Sequence, residues 1–191
     1  TMATIDEKSI LMDASSLYCP PGILPARCIN GKGRLVDPEL SQWIDLTPAC
    51  ADESYNFYNI EMEPTGTFKG NLSQKHTGYA AIKTRKRKIA ALDEEEYIED
   101  IESNNTGLDI ITSNFEGFDD NYGPVKVNYE VEITDRATFM GDMITFCPLL
   151  YEKMEENPFK KKERKFPVDF NYPINHTYNY LIEIPEGYRV E

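Results

Sequence analysis

Asp13 is the residue whose type and setting could do chemistry. It closes an apolar run over residues 8–14 and is followed by Ser15-Ser16 and a Cys19-Pro20-Pro21-Gly22 turn. An acid delivered at the end of a buried strand can orient an imidazole, as the third member of a Cys-His-Asp set. A turn or capping aspartate is the ordinary alternative. Four cysteines, Cys19, Cys28, Cys50 and Cys147, and two histidines, His76 and His176, are the other candidate groups. They form no CxxC pair and no Cys/His ligand spacing, so no zinc site is expected. Cys19 and Cys28 lie close enough in sequence for a local disulfide across the Pro-Pro-Gly turn. Free, partly buried thiols are the expected state. Neither histidine sits in a nucleophile motif, and both are expected to be surface or turn residues.

Three further patterns have ordinary explanations. Lys83-Thr84-Arg85-Lys86-Arg87-Lys88 has the composition of a nucleic-acid patch. The acidic segment that follows makes a solvated, internally paired face the better account. Asn71-Leu72-Ser73, Asn104-Asn105-Thr106 and Asn175-His176-Thr177 match the N-glycosylation pattern, as an Asn-rich chain does readily. Asp119-Asp120-Asn121 lacks the spacing and terminal Glu of a calcium loop and reads as a solvated turn.

The chain has 191 residues, enough for one large or two small domains with a packed core. Its formal net charge of -13 argues against a nucleic-acid partner. No apolar run approaches the ~20 residues of a membrane helix, and no signal peptide is seen at Thr1. No cofactor is implied.

The elements that must position these groups are mostly strands. Residues 27–30 and 34–36 flank Gly31-Lys32-Gly33, which reads as a hairpin turn. Residues 42–46 form another strand around Trp43. Residues 54–63 and 65–74 pair around Pro64-Thr65-Gly66; Tyr55, Phe57, Tyr58 and Ile60 break alternation there and suggest a bulge or two-sided burial. From Gly78 the period becomes helical, and Asp93 is a good N-cap for a second, acidic helix over 94–103. The basic and acidic helices are expected to pack as a hairpin with partly neutralised faces. Further strands are expected over 108–115, 125–134, 143–148 and 178–184. Residues 125–133 alternate most cleanly, with one face buried. The stretch 157–170 opens on an Asn157-Pro158 turn and enters a strand at Phe166, Val168 and Phe170. The fold class is therefore mainly β within an α+β whole: antiparallel, sandwich-like sheets with one two-helix insertion around residues 78–103.

Several runs are similar to a bacterial family of secreted or envelope-associated transglutaminase-like proteins. Members carry a papain-like transglutaminase core flanked by β-rich domains. Asn157-Pro158-Phe159, Arg164, Phe166-Pro167-Val168-Asp169-Phe170 and Ile184-Pro185-Glu186-Gly187-Tyr188 resemble the start of the last domain. Leu11-Met12-Asp13-Ala14, Pro20-Pro21-Gly22, Leu24-Pro25 and Arg27-Cys28-Ile29-Asn30-Gly31 resemble the end of the core, with the triad aspartate falling on Asp13. Gly78-Tyr79-Ala80-Ala81 and Arg85 fit the connecting segment.

The resemblance implies three segments: 1–48, the end of the core with a hairpin; 49–123, a connecting β segment with the helix pair; and 124–191, the start of a C-terminal β domain. It implies a periplasmic, envelope or secreted location. The Cys and His of such a site would lie upstream of Asp13, so the chain reads as an internal or C-terminal fragment. The expected role is a non-catalytic scaffold or binding module whose partner is the upstream part of its own protein. One alternative makes Asp13 the acid of a triad whose Cys and His lie upstream or on another chain. Another is a glycan- or protein-binding β domain, signalled by a cluster of exposed tyrosines around Tyr55, Tyr58 and Tyr79.

Overall fold

The computed structural model describes residues 1–38, 41–153, 156–157, 159–160, 163, 165 and 168–190. The chain is mainly β, with two α-helices between strands of its largest sheet. Strands β1 (Met2–Ile5) and β2 (Lys8–Leu11) form a hairpin; β3 (Gly31–Leu35) and β4 (Gln42–Leu46) form a second. β5 (Asp52–Met62) and β6 (Phe68–Thr77) precede helices α1 (Gly78–Ala90) and α2 (Glu94–Ser103). Then come β7 (Leu108–Glu116), β8 (Val125–Ile133), the short hairpin β9 (Ala137–Met140) with β10 (Met143–Phe146), and β11 (Ile174–Glu183). The main sheet has the order β11-β5-β6-β8-β7. Its pairings are antiparallel except β5 with β11, which is parallel.

β8 realises the alternation of its sequence: Val125, Val127, Tyr129, Val131 and Ile133 are buried, and the intervening residues face outward. They join Tyr58, Ile60, Met62, Phe68 and Leu72 in the principal core. The helices form as expected. Asp93 accepts the Glu96 amide at 2.9 Å, capping α2, and Arg87–Asp100 (2.7 Å) and Lys88–Glu94 (3.0 Å) neutralise the helix faces.

Four expectations change. β5 carries no bulge: it alternates throughout, with Tyr55 and Phe57 outward and Asp52, Ser54 and Asn56 buried in phase with Tyr58, Ile60 and Met62. Buried polar side chains are stable there because they are paired; Asn56 accepts from Gln74 at 2.9 Å. Gly31-Lys32-Gly33 is not a turn but the start of β3. A Cβ on Gly33 would stand 2.9 Å from the Leu46 side chain across the hairpin, so the glycine serves close strand contact. The run before Asp13 is only half-buried, because β2 has a single partner strand, β1. Of the strand expected at 166–170, Phe166 and Pro167 lie outside the described residues, as do Pro158 and Arg164. Val168–Phe170 forms no strand.

A smaller core joins the N-terminal segment to α1. Leu24, Ile29, Tyr79 and Ile82 are buried there, with Cys19, Cys28, Cys50 and Tyr172 packed around them. The Tyr79 hydroxyl donates to the Leu24 carbonyl at 2.7 Å, and its ring stacks on Tyr172 at 4.0 Å.

Arg85 is 1% exposed. Its guanidinium donates to the carbonyls of Gly117 (2.8 Å), Asp120 and Gly123 (2.8 Å), so one α1 side chain closes the whole 117–123 loop. Replacing Arg85 with Met leaves three loop carbonyls without their shared donor. A loss of about 2–4 kcal/mol is expected in denaturant unfolding, against near-neutrality for Lys86→Met on the exposed face. Equal stability of the two variants would show that the loop does not depend on this residue.

Candidate functional site

Asp13 lies two residues past β2 and turns its carboxylate onto its own neighbourhood. One oxygen accepts the Ser15 amide at 2.8 Å and the Ser15 hydroxyl; the other accepts Arg27 at 2.7 Å and the Cys28 thiol at 3.4 Å. The bonds from the Ser15 hydroxyl and amide, with smaller contributions from Cys28 and Arg27, hold its pKa at about 2. The carboxylate ties the 13–16 turn to the 3-10 turn Ala26–Cys28. Burial and the nearby Asp13 push the Cys28 thiol up, and burial does the same to Cys50. Such shifts work against a thiolate nucleophile at neutral pH. Cys19 and Cys28 are free thiols, as are Cys50 and Cys147.

Both histidines lie at a different place, the polar end of the main sheet. His176 on β11, Ser54 on β5 and His76 on β6 occupy one row across three strands. One step along β5 is Asp52, 2% exposed. Its carboxylate bonds His176 Nε2 at 3.1 Å through one oxygen and Lys83 of α1 through the other. Burial alone would raise the Asp52 pKa; the hydrogen bonds from Lys83 and His176 outweigh it and hold the carboxyl below its ordinary range. His76 lies deeper, and burial lowers its pKa and favours the neutral ring. The expectation of two surface or turn histidines therefore fails for His76, which sits on the inner sheet face. His176 is exposed but lies in β11, paired to a buried carboxylate.

Sequence reasoning missed Asp52 and Lys83. The available signal was the phase of β5: counting back from the apolar residues 62, 60 and 58 puts 56, 54 and 52 on the same buried face. Nothing in spacing points from Asp52 to His176, more than a hundred residues away.

Next to this cluster a cavity of about 320 Å³ separates the sheet from α1 and α2. Gln74, His76, Lys83 and Arg87 line one end, and Leu108 and Ile133 the other. It has room for a small molecule. No group of three or more acidic, His or Cys side chains suited to a metal occurs among the described residues. The exposed tyrosine cluster does not form: Tyr58 and Tyr79 are 2% and 3% exposed, while Tyr55 is 49% exposed. The first two anchor the two cores, which is why their rings face inward.

A family model described as a domain of unknown function with solved-structure structure (DUF3858) matches residues 142–191. That span contains β10, β11 and the segment between them, about a quarter of the chain. No curated protein and no solved structure matches the chain. No helix among the described residues is long and apolar enough to cross a membrane.

The Asp52 cluster makes a pH prediction. A carboxyl whose folded pKa is depressed adds stability above its ordinary value of 3.8, lost as pH falls through the folded value. Replacing Lys83 with Met removes the first of the two hydrogen bonds that lower it. Stability should drop by about 1–3 kcal/mol at neutral pH. The further fall on acidification should be shallower than in the parent protein, because less of it now comes from this carboxyl. Melting curves between pH 7 and 2 check this: the gap between the two proteins should close as pH falls, and a constant gap at every pH would rule it out.

Proposed function

We propose that this chain is a non-catalytic scaffold or binding module of a secreted or envelope-associated transglutaminase-like protein. The supporting observation is the disposition of its acid and its imidazoles. Asp13 holds a turn together through Ser15, Arg27 and Cys28, while both histidines stand at the Asp52 end of the sheet. Acyl transfer through a cysteine needs thiol, imidazole and acid in one place. The family match at residues 142–191 falls where the resemblance puts a last β-rich domain, which accords with a modular protein.

A second reading rests on Asp13 itself. With a pKa of about 2 it is ionised at neutral pH and suited to receive an imidazole N–H from a segment that supplies the Cys and His. The two readings part at one substitution. In the chain alone, Asp13→Asn is expected to flatten the fall of stability that the parent shows between pH 4 and 2, because the lowered carboxyl is gone. Ammonia release from a glutamine peptide, and peptide cleavage, should stay at background for both forms. Turnover by the parent chain that iodoacetamide abolishes overturns the non-catalytic reading. In a longer polypeptide that does turn over, a fall in kcat of roughly 10³–10⁴ for Asp13→Asn at unchanged stability favours the triad reading.

A further inference from the structure

The outward face of the main sheet is largely polar, with two aromatic rings exposed at one end. Strand register places its side chains in rows, since directly paired residues point to the same side. Thr177, Tyr55, Lys75 and Lys126 form one row, and Asn179, Phe57, Ser73 and Asn128 the next. Tyr55 and Phe57 are 49% and 36% exposed although every neighbour in these rows is polar. Between them lies a depression of about 320 Å³, lined by Tyr55, Phe57, Ser73, Gln74, Lys75, Lys126 and Asn128. A second hollow of about 260 Å³ continues past Tyr55 and Lys75 to Thr77, Asn175 and Thr177.

Two features of this face are unfavourable for folding alone. Lys75 and Lys126 stand directly opposite each other, an arrangement that destabilises a sheet. In a chain of net charge -13, acids to neutralise them are abundant. Lys126 is paired at 3.6 Å with Glu116, directly opposite it on β7, while Lys75 has no acidic partner among the described residues. Glu53, at the rim of the second hollow, is turned to the Thr77 hydroxyl at 2.8 Å. The depression thus offers two cations, two half-exposed rings and a set of amide and hydroxyl groups.

We propose that this face binds a glycan that alternates neutral and carboxylate-bearing sugars. The apolar C–H face of a pyranose suits Tyr55 and Phe57, as aromatic side chains carry a polarised π-face. Ring hydroxyls suit Ser73, Asn128, Thr177 and Asn179, which both donate and accept. A sugar carboxylate suits the Lys75–Lys126 pair. A densely charged polyanion is disfavoured, because the rest of the chain repels it. An acidic peptide supplies the charge but not a ring face, and extended peptides pair at sheet edges rather than across a face. The inference rests on the binding-module reading and gives that module a ligand class.

The test is calorimetric or fluorescence titration of the whole chain with hyaluronan tetrasaccharide. Chitotetraose, which lacks the carboxylates, and a Gly-Glu repeat peptide of equal charge are the comparators. Binding of the hyaluronan probe is expected to be tighter than that of either, and weaker in higher salt. Tyr55→Ala should weaken it roughly tenfold, and Lys75→Gln about threefold. Both side chains are on the surface, so melting temperatures should be kept, or raised for Lys75→Gln, and fold loss does not confound the result. Equal binding of chitotetraose, or a preference for the peptide, overturns the ligand class. No binding by any probe overturns the proposal, as does self-association that Tyr55→Ala abolishes without a glycan effect. The non-catalytic reading fails only on turnover, a separate measurement that leaves the titration's outcome intact.

Discussion

A carboxylate with almost no solvent contact must be compensated, and the compensation of Asp52 organises the molecule. Its partners come from two places far apart in sequence: Lys83 from α1 and His176 from β11. The pair of bonds therefore fixes how the first helix leaves β6 and where the last strand lies beside β5. Backbone groups reinforce the same joint. The Asp52 amide donates to the Pro173 carbonyl at 2.8 Å, and the Tyr79 amide to the Ala51 carbonyl at 3.1 Å. Gly78 completes it: its φ of +56° lies in the left-handed region, and a Cβ there would meet the Ala51 carbonyl oxygen at 2.0 Å. A parallel edge strand cannot be reached by a tight hairpin, so β11 needs anchors of this kind at its start.

The N-terminal hairpins attach to this frame through few but directional contacts. Tyr79 stacks on Tyr172, just before β11, and hydrogen-bonds Leu24; Asn171 donates to the carbonyls of Ala26 and Ile29 at 2.8 and 2.9 Å. The segment that carries Asp13 thus rests on both the start of α1 and the approach to β11. Asp13 contributes inside that segment, where its carboxylate joins two turns. Its low pKa is the consequence of donors nearby, and that consequence is the same whether the acid holds a turn or faces an imidazole.

The sequence was legible where one physical signal acted alone. Residues 125–133 alternate without exception and became β8. Asp93 caps α2 because a short carboxylate beside an acidic, helix-forming run has little else to bond. Legibility failed where a long-range partner decided the outcome. The imperfect apolar alternation of residues 54–63 suggests a bulge or two-sided burial, yet Asn56 and Asp52 hold the inside through Gln74, Lys83 and His176. The glycines at 31 and 33 suggested a turn, but what Gly33 answers to is Leu46 on the opposite strand. For the candidate site, Asp13 could be picked out because it ends an apolar run. Asp52 could not be linked to His176, since a parallel pairing leaves no mark in local spacing.

The inversion of β5 connects the interior of the fold to its surface. A strand has two faces and fixed alternation, so placing Asp52, Ser54 and Asn56 inside forces Glu53, Tyr55 and Phe57 outside. Slipping the strand by one residue would bury the two rings but would expose Asp52 and break its bonds to Lys83 and His176. It would also turn Tyr58, Ile60 and Met62 out of the principal core. Three large core residues and a paired buried acid outweigh the exposure of two aromatics by several kcal/mol, at about 1.5–3 kcal/mol for each fully buried apolar side chain. The exposed rings are thus enforced by the inner face and are not by themselves evidence of selection for binding. The lysines beside them are different: nothing inside the fold requires Lys75 to stand opposite Lys126, and a polar residue of either opposite or no charge would fit the same outward position. The cation pair is therefore what marks this face for a ligand, with the rings as a platform that the core had already placed there.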